Sequence, residues 1–380
     1  MSSNQPWCTQ NGRKNNFDFF RFLLANLVIF SHCYPLLYGE AYGNTIEPFM
    51  LMTRQQMTAG GVAVSFFFIL SGYLITQSWL TSSGFFDFMI KRTLRIFPGF
   101  VVASLVCLLI VAPLGSPDPK SVLMSFNPFQ FIWHQVLLYL PGIAGVFPNN
   151  PVEGAINGSA WTVRYEFWCY LLLAVLGMTK LLQKKTVAVF FSLSGFVYLL
   201  LYTHIIPDRL PFENGRTFLL IGEFKYHVQF IYSFLAGVSF YIYRDKIPFS
   251  QKLFHLLLGI LIISCILGVG FVFLFPICSA YVIMFLGFHP KLNFSGFARR
   301  GDISYGTYLY AYPVQQLLIV YSQPWLNPLT FFFLAFVITF VLAIISWFGV
   351  ERPFLRLKSR KREFRNIPKL ISDKDVQTGV

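Results

Sequence analysis

Polar and apolar residues in this chain separate into long blocks instead of alternating. Apolar blocks of spanning length lie near 17–38, 59–80, 96–114, 160–178, 186–203, 228–243, 253–270, 271–289, 303–321 and 329–349. A helix of about twenty apolar residues crosses a bilayer, and lipid leaves backbone groups no partner outside a helix or a closed barrel. The pattern predicts an all-α, polytopic membrane protein of about ten transmembrane helices. The pair at 253–289 is the least defined, because Phe275 and Pro276 permit the break to fall elsewhere. Residues 115–159 are rich in Pro, Gly and Asn and contain Phe129 to Leu140, an apolar piece too short to cross. It is expected at the interface or re-entering, with Trp133 and Tyr139 as interfacial anchors.

Composition agrees with the pattern. The hydrophobic fraction is 55%, with 45 Phe and only 12% charged residues, far from the soluble norm. A net charge of +14 would suggest a nucleic-acid partner in a soluble chain, but here its distribution decides. With the N-terminus inside, the inner segments hold 23 Lys and Arg and the outer loops only Arg54, Lys120, Arg209, Arg216 and Lys225. This asymmetry places both termini in the cytosol and leaves no role for nucleic acid. The first block follows Arg13 and Lys14, is full-length and lacks a small-residue cleavage site, so it reads as a retained signal anchor. No repeat is evident. The chain reads as one membrane unit, 1–356, followed by a basic to polar cytosolic tail, 357–380. Its six cysteines are scattered without metal-like spacing and read as buried apolar residues.

The first block is unusual for what it carries. Asp18, Arg21, Asn26 and His32 interrupt an otherwise apolar helix, and ionisable groups in lipid mark sites more often than not. Arg21 and His32 are eleven residues apart, which puts them on one face about 16 Å apart along the axis. A desolvated neutral imidazole suits a general base acting on a hydroxyl, whereas the plainer role is a hydrogen bond between helices. Gly61, Ser65 and Gly72 in the second block suit close helix packing. Ser71 beside them has no activating base visible in the sequence. Arg92 and Arg95 share a helical face, and two guanidinium forks at that spacing suit a diphosphate, although they also serve as topology signals. Arg164 and Glu166, two residues apart, cannot pair along one helix, so each is expected to find a partner elsewhere. The tyrosines from Tyr305 to Tyr312 read as packing.

Taken together, Phe17-Asp18-Phe-Phe-Arg21 with His32, Phe66 to Ile75 around Ser71-Gly72-Tyr73, Arg92-x-x-Arg95-Ile-x-Pro98, Trp161-Thr-Val-x-x-Glu166 and Asp302-Ile-Ser304-Tyr305-x-x-Tyr308 resemble the integral-membrane acyltransferase family 3. This group includes bacterial surface-polysaccharide and O-antigen O-acetyltransferases, and the likeness runs from Phe17 to Pro353. It implies that 1–356 is a membrane acyltransferase domain of the bacterial inner membrane. It implies acyl-CoA, most simply acetyl-CoA, as the donor, no metal, and a glycan or lipid-linked glycan such as lipopolysaccharide O-antigen as the acceptor. By position, His32 would be the catalytic base, Arg21 its partner, Arg92 and Arg95 the cofactor-binding pair that meets CoA phosphates, and Glu166 a further site residue. Two departures stand out. Tyr310-Ala311-Tyr312-Pro313 lacks the histidine that many members carry there. No extracytoplasmic domain follows the tenth block, so the membrane unit or a separate partner is expected to complete transfer. The competing reading is a transporter or flippase, for which the matching interrupted halves of such proteins are missing.

Overall fold

The computed structural model describes residues 6–8, 15–208, 220–297, 301–322 and 326–357; Arg13, Lys14, Arg209, Arg216, Arg299, Arg300 and the tail beyond Leu357 lie outside the described residues. The described residues are all-α. Ten helices of 17 residues or more occupy the ten apolar blocks. They are α1 (Phe17–Tyr38), α4 (Ala59–Leu80), α5 (Phe85–Leu114), α8 (Thr162–Met178), α9 (Lys184–Tyr202), α10 (Phe224–Tyr243), α11 (Gln251–Leu267), α12 (Phe271–Gly287), α13 (Ser304–Ser322) and α14 (Pro328–Leu357). Short helices α2 (Glu40–Ile46), α3 (Pro48–Met52), α6 (Pro119–Met124) and α7 (Pro128–Val136) lie in the connections.

Five of the ten, α1, α4, α5, α9 and α14, are long and apolar enough to cross a membrane, and α11 and α12 are shorter apolar helices. The other three, α8, α10 and α13, carry more polar residues, and α10 and α13 are mostly buried in the bundle. On α13, Ser304, Thr307, Gln315 and Gln316 are all buried. A helix enclosed by others need not be apolar all round.

Local chemistry sets the ends. Pro48, Pro119, Pro128 and Pro328 each open a helix at its first turn, where a missing N–H costs nothing. Thr58 caps α4 by accepting from Gly61 N at 3.0 Å. The break between α11 and α12 falls at Gly268 and Gly270, at φ 70° and 78°, and Pro276 lies within α12. Glycine adopts that left-handed backbone without strain, so the turn forms there and not at Phe275-Pro276.

Two glycines hold the centre. A Cβ on Gly72 would meet Phe234 O at 2.0 Å, and one on Gly237 would meet Ile69 O at 1.9 Å. The backbones of α4 and α10 therefore cross at contact distance, as small residues permit in membranes. Gly72 thus fills the packing role expected of it. Gly61 does not: a Cβ there would meet only side chains of its own turn, and Gly61 lines a cavity.

The connection between α5 and α8 takes, for its apolar piece, the surface course of the two expected for it. Helix α7 stays on the surface, with Phe129, Ile132, Trp133 and Val136 exposed. The inward segment is 150–161 instead. Gln316 Nε2 donates to Val152 O and Ala155 O at 2.9 and 2.8 Å, Asn157 Nδ2 to Leu309 O at 2.8 Å, and Gly158 meets the Tyr312 ring. The segment descends along α13, so α8 starts deep in the bundle. Tyr139 is no exposed anchor: half-buried, it lies under the Arg164 guanidinium, 4.6 Å from ring centroid to Cζ.

Candidate active site

Two cavities lie along α1. The first, about 290 Å³, sits toward the end of the bundle where Arg21, Lys91, Arg92 and Arg95 gather. The second, about 240 Å³, sits toward the opposite end, under the α1–α4 connection, and contains His32.

The first cavity is bordered by an ion-pair cluster from four helices. Asp302, just before α13, accepts from Arg95 in a short contact and lies 3.6 Å from Arg21 Nη1. Arg21 also faces Asp18 at 3.9 Å, a turn away on its own helix. Glu351, carried inward by a π turn at Trp347–Glu351, stands 3.6 Å from Arg95 Nη1 and accepts from Ser346 Oγ at 3.2 Å. Asp302 further accepts from Ser304 Oγ at 2.5 Å and Ser304 N at 3.1 Å. Burial alone would raise the Asp302 pKa, but Arg95 and Arg21 outweigh it and hold the carboxyl below its ordinary value.

Arg92 is placed differently. Its Nη2 donates to Ser78 Oγ at 3.2 Å, its guanidinium is 5.9 Å from the rings of Phe88 and Tyr170, and its buried Nε has no partner. The expected Arg92 and Arg95 pair is therefore divided. Arg95 spends its fork on two carboxylates, while Arg92 retains a donor to offer. Lys91, their neighbour, is taken by Asp87 at 2.5 Å and Ser82 at 2.8 Å.

Glu166 lines the same cavity. Its Oε1 accepts from Tyr170 OH at 2.5 Å and from Ser71 Oγ at 3.3 Å. Ser71 thus does meet a carboxylate, which its sequence neighbourhood did not reveal. Arg164 finds its partner across the other side of α8, under which Tyr139 stacks.

The second cavity contains His32, Ser31, Pro35, Ser159, Trp161 and Gln229 among its walls. The imidazole meets the Tyr312 ring edge to face at 5.2 Å, and its buried Nδ1 has no partner. Arg21 and His32 share one helix but open onto different cavities, and Arg21 pairs with Asp18 and Asp302. Glu166 likewise lies across the boundary from His32. What divides the two cavities is a wall common to both: Val64, Thr162 and Tyr308. The hydroxyls of Thr162 and Tyr308 are 2.5 Å apart.

Cys33, Cys107, Cys169 and Cys278 are buried free thiols and Cys265 a half-buried one. Among the described residues no group of three His, Cys, Asp or Glu is arranged to hold a metal.

A bundle of apolar helices that encloses an arginine-lined cavity and a histidine-lined one is a polytopic membrane protein with a polar interior. The chain belongs to the integral-membrane acyltransferase family 3: residues 14–348 match the profile described as an acyltransferase domain, and the protein is a membrane acyltransferase. It is 28% identical over 374 residues to an O-acetyl transferase of Shigella phage Sf6, covering 92% of this chain and 98% of that one. It is 27% identical over 373 residues to Nodulation protein 10 of Rhizobium leguminosarum bv. viciae, covering 92% and 95%. No solved structure is a significant match.

Proposed function

We propose that this protein is an O-acyltransferase of the bacterial inner membrane that moves an acyl group, most simply acetyl, from acyl-CoA to a hydroxyl of a cell-surface glycan such as lipopolysaccharide O-antigen. The observation that carries the reading is the end-to-end arrangement of the two cavities along α1, one walled by arginines and the other holding His32. The bias of Lys and Arg toward alternate loops assigns the arginine end to the cytosol, where CoA is found. The relative named as an O-acetyl transferase supports acetyl as the group and oxygen as its destination.

In this mechanism Arg92 meets a CoA phosphate with the donor it has free. Arg21 and Arg95, already neutralised by Asp302 and Glu351, hold the walls. His32 takes the proton of the acceptor hydroxyl at its cavity-facing nitrogen. The oxygen attacks the thioester carbonyl, the C–O bond forms, the C–S bond breaks, and the CoA thiolate leaves to be protonated as free CoA. Glu166 lies on the donor side of the wall, so its carboxylate orients donor-side groups through Ser71 and Tyr170.

Purified protein in proteoliposomes is expected to release CoA from acetyl-CoA when a glycan acceptor is supplied. A folded His32→Ala protein should bind acetyl-CoA yet fail to transfer. Transfer at the wild-type rate by that protein would sink the base assignment. A wild type that neither binds acetyl-CoA nor releases CoA would return the reading to a transporter.

A further inference from the structure

We infer that the His32 cavity is a subsite for one uncharged sugar ring, seated on Trp161 and held by Gln229 and Asn44, and that it turns away rings carrying a carboxylate or a phosphate. This deepens the reading that His32 faces the glycan acceptor and rests on it. The two cavities differ most in charge. Arg21, Lys91, Arg92, Arg95 and Glu166 border the first, whereas none of the residues lining the second is Asp, Glu, Lys or Arg. An anionic group entering the second would give up water for walls that hold no cation, and an unpaired buried charge is costly. At about 240 Å³ the cavity is smaller than the pockets of about 300–1,000 Å³ that enclose a drug-sized ligand. One ring enters, and the rest of a glycan stays outside.

The walls suit a neutral ring. Ser31, Asn44 and Gln229 line the cavity, and among the described residues neither their side chains nor the Trp161 indole N–H makes a hydrogen bond. Ser159 Oγ, on the same walls, is buried without a partner. Donors and acceptors thus converge with no charge among them, which complements a ring of hydroxyls. The aromatic side is fixed by packing. The segment 150–161, tied to α13 through Asn157 and Gln316, delivers Trp161 to the start of α8. There the indole packs on Tyr226, Phe230 and Tyr165 at 4.6, 5.7 and 5.7 Å between centroids, and 37% of its surface stays exposed. The C–H groups on one side of a pyranose are apolar and slightly positive, so they rest on the electron-rich face of an indole. Tyr226 and Gln229 are three residues apart on α10 and share a face, which puts a polar group beside the aromatic one.

The test uses the purified full chain in detergent micelles and matched pairs of methyl glycosides: glucoside with glucuronide, galactoside with galacturonide, mannoside with mannuronide. The members of a pair differ at C6 alone, a hydroxymethyl group against a carboxylate. Saturation-transfer NMR without donor reads binding, and labelled acetyl moved from acetyl-CoA reads the reaction. The neutral member of at least one pair should bind, and its acidic partner about tenfold more weakly or worse. Trp161→Leu should raise the Kd for that sugar about tenfold, and Gln229→Leu by a similar factor, with the acetyl-CoA affinity kept in both. Trp133→Leu, on the exposed side of α7, should change neither value. The inference is overturned if no neutral glycoside contacts the wild type, if a uronide binds as well as its neutral partner, or if folded Trp161→Leu and Gln229→Leu both hold the wild-type Kd to within about twofold. If Trp161→Leu does not fold, an unchanged Kd in Gln229→Leu overturns it alone. A wild type that binds the neutral sugar but transfers no acetyl to it upholds the subsite and fails the transfer reading instead, so the two failures are distinct.

Discussion

The two cavities are built on opposite electrostatic plans. Around the first, charges are numerous and mostly paired: Arg21, Arg95, Asp302 and Glu351 neutralise one another, and Arg92 alone of the three arginines has no carboxylate in ion-pair contact. Around the second, His32 stands with an unpartnered ring nitrogen and an aromatic neighbour. A charge that must stay in place is surrounded by counter-charges, because an unpaired buried ion is costly. A group that must take up and release a proton gains from the opposite arrangement, since a fixed counter-ion would hold one protonation state. Under the proposed function, binding and chemistry occupy separate rooms along one helix.

The separation can be broken at several points. The largest effect is expected from His32→Ala, which should lower transfer by about 10²- to 10⁴-fold while leaving acetyl-CoA binding intact; equilibrium binding and single-turnover transfer measured on one preparation check both halves. Next, Asp302→Ala leaves Arg21 and Arg95 facing each other without their common carboxylate. Loss of one partner of a buried cluster costs about 3 kcal/mol, discounted here because both arginines are about a quarter exposed. A lower melting temperature in detergent should result, and the acyl-CoA affinity of the surviving folded fraction should fall less than the yield. Gly72→Ala should cost about 1–3 kcal/mol by forcing α4 off α10, visible as reduced thermal stability with both cavities disturbed. The smallest and sharpest effect separates the two arginines. Arg92→Ala should raise the KM for acyl-CoA about tenfold with kcat nearly kept, whereas Arg95→Ala should act mainly on stability. Equal KM effects from the two would erase the division between a binding arginine and a tethering one.

Much of the architecture is legible from the chain, because lipid allows a long apolar block little choice but a helix. All ten blocks carry helices with ends within a few residues of the apolar limits, apart from α5, which begins eleven residues early at Phe85, and α14, which extends through a π turn to Leu357. In both cases charged residues, Asp87 to Arg95 and Glu351 to Arg356, interrupt the hydropathy but not the hydrogen-bond ladder. What the pattern does not carry is depth and partnership. Nothing local marks 150–161 as the segment that enters the bundle, since Asn150, Asn157 and the carbonyls of Val152 and Ala155 find their partners in Gln316 and the α13 backbone, 152 or more positions away. The Ser71 and Glu166 contact spans 95 positions and the Arg95 and Asp302 contact 207. Arg95 and Asp302 were both visible as motif members, but their mutual neutralisation is a property of packing. Thr162 and Tyr308 read in the sequence only as a helix start and one of several tyrosines, and the fold sets them face to face.

That face-to-face contact has an energetic consequence for the cell. A continuous file of water joining the two cavities would carry protons and drain the gradient that the membrane exists to hold. Between the hydroxyls of Thr162 and Tyr308, 2.5 Å apart, no water fits. At that contact a hydrogen-bonded pair of side chains, and not a water molecule, stands between the two cavities.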